Sequence, residues 1–190
     1  AALVLELLAD APDIAGGKVQ PLPTDGTISA LNIPHSSIVF DQHQVTEIQA
    51  ELLGDNGVAT EQVKHANLLS FTCLKAFAFD QRNERKDAHD LVYCIEHAPE
   101  SLGVAAEGFR TAFETKHGDV VRAALAILRN RFASDDKVEG HRKDGPVSVA
   151  KFEMGEGDAK EQRDARMLRQ REVNDLIERL LSLIDRAYAA

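Results

Sequence analysis

The spacing of apolar positions changes character near residue 65. Before it, short alternating runs lie between turn-forming residues. After it, apolar residues recur at three and four. Val45–Leu53 is the clearest alternating run: Val45, Glu47, Gln49 and Glu51 share one face, Thr46, Ile48, Ala50 and Leu52 the other. Asp55-Asn56-Gly57 is a hairpin turn signal, and Val58–Val63 is expected to return antiparallel. Upstream, Leu3–Leu8 is a short apolar strand interrupted by one acid, Glu6. Ala15-Gly16-Gly17 turns the chain into a short strand at Lys18–Leu22. Pro21, Pro23, Asp25-Gly26 and Pro34 punctuate what reads as a loop holding only short elements.

Helical spacing begins at Asn67, an N-cap residue type. Leu68–Phe79 is apolar on nearly every side and carries one charge, Lys75, which predicts a buried helix. Residues 81–84 break it. A second helix is predicted for Arg85–His97, with Leu91, Val92, Cys94 and Ile95 inward. Two more follow at Leu102–Thr115 and Asp119–Ala133. Ser134–Gly145 is polar and reads as loop; Val147–Phe152 alternates weakly and reads as a late strand. After a break at Gly155–Gly157, Asp158–Ala187 is one long charged helix. Its seam is Val173, Leu176, Ile177, Leu180, Leu181, Ile184 and Ala187. The expected class is α+β: a small antiparallel or mixed sheet in the first third, then packed helices and a long C-terminal helix.

Composition narrows the function classes. The 190 residues are 44% hydrophobic and 28% charged, enough apolar content for a packed core. No apolar run approaches the ~18 residues that would span a bilayer. The opening AALVLELLAD lacks a basic n-region and does not read as a signal peptide. The chain starts without Met and reads as a piece of something longer. A formal charge of −9 disfavours non-specific binding to nucleic acid or to an anionic membrane, although a local basic patch could serve either. Aromatics at 5% and no Trp argue against a base-stacking platform, and no strong case for DNA exists. Cys73 and Cys94 sit in helical segments without a C-x-x-C. Neither a disulfide scaffold nor a cysteine zinc site is expected, and a cytoplasmic, reducing setting fits.

Lys75 is the first candidate for chemistry. A lysine within a buried helix is costly unless it meets an acid or reaches water. Phe71 and Phe79 lie one turn either side and Arg82 two turns on, and such a cation pair suits an anionic ligand. On the next helix Asp87 and Asp90 share a face, while Lys86 and Asp90 stand at i,i+4. Capping and charge balance would account for these acids equally well. The short link between the helices lets them pack antiparallel, bringing the acids toward Lys75 or Arg82. His89 and His97 flank Tyr93 on one helix face, too far apart for one metal. No serine-hydrolase, dinucleotide-binding or P-loop motif is present.

Taken together, the helix around Lys75, Arg82 seven residues on, and Lys86-Asp87-Ala88-His89-Asp90-Leu91 resemble the last two motifs of nucleotidyltransferase-like proteins of the AbiEii type. That family pattern is an apolar helix with one lysine, then an arginine, then K/R-D-x-x-D-L. The hairpin of Gln44–Lys64 stands where the family also has one. Val4-Leu5-Glu6-Leu7-Leu8 resembles a family strand written V-D-L-L, with Glu6 in place of the aspartate. The resemblance covers residues 1–97 and implies the C-terminal part of a nucleotidyltransferase-like domain, leaving 98–190 as a helical region.

What the resemblance implies is transfer of a nucleoside monophosphate from a nucleoside triphosphate to an acceptor hydroxyl. Lys75, Arg82 and Lys86 would hold the triphosphate. Asp87 or Asp90 would orient the lysine or assist the acceptor, and Glu6 would join a magnesium (Mg2+) site. The family's glycine–serine and D-x-D or D-x-E motifs are not in this sequence. The chain is therefore expected to be either part of such an enzyme or a relative that has lost the chemistry. Some relatives resemble toxins of toxin–antitoxin pairs. The alternative expectation is a non-catalytic interaction module that pairs, with a partner protein or with itself, through the C-terminal helix.

Overall fold

The computed structural model describes residues 5–22, 25–54 and 56–186. Its class is α+β, with strands in the first third and helices after them. The chain divides into two compact units, at residues 1–67 and 68–190. The division follows the packing, because the helices on both sides of residue 97 share one core.

In the first unit, strands β1 (Leu8–Ala9), β2 (Val19–Leu22) and β3 (Asp25–Asn32) form a mixed sheet of order β1-β3-β2. β1 runs parallel to β3 and β2 antiparallel to it. The segment from Asp25 was expected to be loop, yet it is the central strand. Its prolines explain how: Pro21 lies on the edge strand β2 and Pro34 beyond the end of β3, where the missing N–H breaks no central ladder. The strand expected at Leu3–Leu8 is short. Leu3 and Val4 lie outside the described residues, and Glu6 is exposed ahead of β1.

Buried Asn32 ties the neighbouring loop down, accepting from Ala11 N at 2.7 Å and donating to Ile14 O at 2.6 Å. After a single-turn helix α1 (Ile38–Asp41), β4 (His43–Glu51) and β5 (Val58–Ala66) form an antiparallel ribbon. Ile48, Leu52, Val58 and Val63 remain exposed on it.

The second unit is helical: α2 (Leu68–Arg82), α3 (Arg85–Glu96), α4 (Leu102–Phe113), α5 (Gly118–Phe132), a 3-10 turn at Gly140–Arg142, α6 (Asp144–Met154) and α7 (Lys160–Asp185). The strand expected at Val147–Phe152 is thus part of helix α6. Pro146 sits in the first turn, where its missing N–H is harmless. Gly145, Pro146, Ser148, Val149 and Ala150 are buried, a pattern spaced for a helix against a core and not for a two-sided strand.

The core joins Phe79, Leu91, Phe109, Leu125, Leu128 and Phe132 to the seam of α7, where Val173, Ile177, Leu180 and Ile184 are fully buried. Ala187, the seam's last expected member, lies outside the described residues. Helices α4, α5 and α6 pack against α7, and Leu176 of the expected seam is only partly buried. Phe79 and Phe132 meet at 5.7 Å between ring centroids. The 3-10 turn packs so closely that a Cβ on Gly140 would lie 2.7 Å from both Phe132 O and Ser134 N. No helix among the described residues is long and apolar enough to cross a membrane.

Candidate functional site

Helices α2 and α3 are joined by Asn83 and Glu84 alone. Asn83 adopts φ +55°, a left-handed conformation asparagine tolerates, and donates its N–H to Phe79 O at 2.8 Å. The link reverses the chain, so the two helices form an antiparallel pair. On α2, Leu69, Cys73, Ala76 and Phe79 face inward. On α3, Ala88, Leu91, Val92 and Ile95 face inward. The residues flanking these stripes meet along the seam between the helices.

There the Lys75 ammonium donates to Asp87 Oδ1 at 3.0 Å and to Asp90 Oδ2 at 2.8 Å. Arg82 Nη2 donates to the other oxygen of Asp87 at 2.6 Å. Lys86 Nζ donates to Asp90 Oδ2 at 2.6 Å. The Lys75 ammonium also lies 5.7 Å from the Phe71 ring centroid, a cation–π distance. All five motif residues of the α2–α3 pair thus form one contiguous cluster. Three cations meet two carboxylates, leaving one positive charge.

Burial orders the cluster from inside to outside. The Asp87 side chain is 4% exposed, Asp90 20% and Lys75 22%, whereas Arg82 is 60% and Lys86 68% exposed. Burial by itself raises the Asp90 carboxyl and lowers the Lys75 ammonium. Hydrogen bonds between them, and from Lys86 to Asp90, outweigh it. Asp90 is accordingly held at about 2 and Lys75 above its ordinary value. Both groups are charged at neutral pH. Cys73, buried on the same helix as Lys75, is pushed up to about 12 by burial and is an inert thiol.

Both carboxylates are held by cations. Asp87 gives one oxygen to Lys75 and one to Arg82, and Asp90 gives one oxygen to two ammonium groups. A divalent cation shared by the two carboxylates would have to displace Lys75 or Arg82 from Asp87, so the pair does not fit a magnesium site. Among the described residues, no three His, Cys, Asp or Glu side chains gather as a metal site. Glu6 belongs to the other unit and is exposed.

Two neighbouring features were not anticipated from sequence. Arg169 of α7 grips Glu96 of α3 through two bonds, at 2.6 and 2.9 Å, and Glu153 of α6 through two more, at 2.7 and 2.9 Å. The bidentate pairs hold three helices together beside the cluster. A row of rings, Phe152–His89–Tyr93–His97, runs along α3 with centroid separations of 4.5, 5.7 and 4.0 Å. The i,i+4 spacing of His89, Tyr93 and His97 was legible. Phe152 was not, because it belongs to the segment that read as a strand.

Compared with protein-family models, curated proteins and solved structures, the chain matches none.

Proposed function

We propose that the chain is nucleotidyltransferase-like and that the α2–α3 pair binds the phosphates of a nucleoside triphosphate. One observation carries the reading: Lys75, Arg82, Lys86, Asp87 and Asp90 form a single ion cluster with one surplus positive charge and its two outermost cations facing water. The arrangement separates two duties. Asp87 and Asp90 fix Lys75 in place and hold the inner ends of the network. Arg82 and Lys86 each spend one contact inward and keep donors free for an anion. In the proposed reaction, an acceptor hydroxyl gives its proton to solvent water, its oxygen bonds to the α-phosphorus, and the bond from that phosphorus to the bridging oxygen breaks as pyrophosphate leaves. The cluster's part is to hold the departing phosphates. With Asp87 nearly fully buried and both carboxylates engaged, the acids position the lysine and do not take the acceptor's proton. An interaction module acting through the C-terminal helix is less well supported, since that helix spends its seam inside the chain.

The test is calorimetric titration of the chain with ATP, with and without magnesium. Binding to the wild type and at least tenfold loss in Arg82→Ala/Lys86→Ala supports the reading. Absence of binding in both conditions, or unchanged affinity in the double variant, overturns it.

A further inference from the structure

We infer that the row of rings along α3 receives the base of the nucleotide whose phosphates meet Arg82 and Lys86. The inference rests on the proposed phosphate site and adds to it the recognition of the base. The two features share a joint. Asp90, which accepts from Lys75 and Lys86 through one oxygen, has its other oxygen 3.5 Å from Nδ1 of His89, the second ring of the row. Lys86, Tyr93 and His97 project from the same side of α3, and Tyr93 lies about 10 Å along the axis from Lys86 at 1.5 Å per residue. Charge therefore gives way to π surface along one helix face within the span of a single small ligand.

Two of the rings keep surface open to solvent, although His97 already stacks on Tyr93. Tyr93 is 50% and Phe152 45% exposed. Their positions are also fixed: Phe152 packs on His89, Tyr93 stacks on His97 at 19° between planes, and His97 Nδ1 lies 2.9 Å from the Tyr93 carbonyl oxygen. Preordered rings lose little freedom when a base stacks on them. The chain's low aromatic content disfavours a platform for a long strand, but one base needs only one stack. A nucleotide joins a polyanion to a flat aromatic base, and this face offers the complement of each in the same order. Stacking does not select among bases, so the site accepts nucleoside triphosphates as a class.

Three ligands separate the possibilities on the full chain: ATP, adenosine and inorganic tripolyphosphate. Wild type is expected to bind ATP at least tenfold more tightly than tripolyphosphate. Tyr93→Leu keeps apolar bulk and removes the aromatic face. It should weaken ATP by roughly 5- to 150-fold, the range of single base–aromatic stacks, and leave tripolyphosphate unchanged. Phe152→Leu is the second variant, so that misfolding of one leaves the question open to the other; thermal melts establish folding for both. Equal affinity for ATP and tripolyphosphate, or loss of ATP binding in neither variant, overturns this inference while leaving the phosphate site standing. Failure of both ATP and tripolyphosphate to bind overturns the phosphate site and this inference with it.

Discussion

Lys75 and Asp90 stand 15 residues apart in the chain and 2.8 Å apart in the fold. Two helices and a two-residue link lie between them, and the contact depends on each. The lysine occupies the edge of a stripe that is otherwise apolar. The aspartate occupies the matching edge of α3, one turn beyond Asp87.

The cluster's redundancy sets what its loss does to stability. In Lys75→Met, Asp87 keeps Arg82 and Asp90 keeps Lys86. The expected cost is about 1–3 kcal/mol, less than for a stranded buried charge. Adding Arg82→Met strands Asp87 at 4% exposure, and the double variant should lose about 3–5 kcal/mol, more than the sum of the singles. A denaturant-unfolding double-mutant cycle measures this; strict additivity would contradict the shared role of Asp87.

The same cluster predicts the pH dependence. Asp90 is held at about 2, below its ordinary 3.8. Its contribution to stability is present above about pH 4 and lost as pH falls toward 2. Lys75 is raised from 10.5, so its contribution is present below that value and lost as pH climbs through its raised folded value. The melting temperature of wild type minus that of Asp90→Asn should therefore be largest on the plateau between and shrink in acid. A difference that stays constant from pH 6 to pH 2 would count against the pairing.

Much of this site was legible in the sequence, because its parts are local. Helical spacing located α2 and α3, the break at residues 81–84 implied a reversal, and one lysine among apolar neighbours demanded a partner. The acids on the next helix were the nearest candidates. What was not legible depends on the third dimension. Phe152 joins His89 only because α6 packs on α3, and a six-residue window with alternating Val, Ser, Val and Ala carries too little periodicity to distinguish helix from strand. The central strand β3 was hidden by the prolines on either side of it, whose meaning depends on which strand lies at the sheet edge.

The apolar seam of the long helix lies in its C-terminal half. Leu180 is fully buried, so Leu180→Asp places a carboxylate among apolar side chains and should cost about 4–5 kcal/mol or more. Thermal denaturation followed by circular dichroism should show a lost or strongly lowered transition. Retention of the wild-type midpoint would mean that the seam of α7 is not packed.

Two glycines are expected to respond in opposite directions. Gly140→Ala forces a methyl against Phe132 O and Ser134 N and should destabilise by about 1–3 kcal/mol. Gly108 is in the middle of α4 with open space where its Cβ would lie, so Gly108→Ala should stabilise by about 0.5–1 kcal/mol. Urea titration of the pair checks both signs in one experiment.

The two-residue link between α2 and α3 makes the chain unevenly tolerant of insertions and deletions. With only two residues closing the reversal, one residue added between Asn83 and Glu84 would displace α3 against α2. Ala88 and Leu91 would leave the core together with the departure of both aspartates from Lys75. The exposed run from Glu156 to Ala159, between α6 and α7, carries no such constraint. Length changes should therefore be better tolerated there than at Asn83-Glu84, so that the spacing from Lys75 to Asp90 behaves as a fixed ruler.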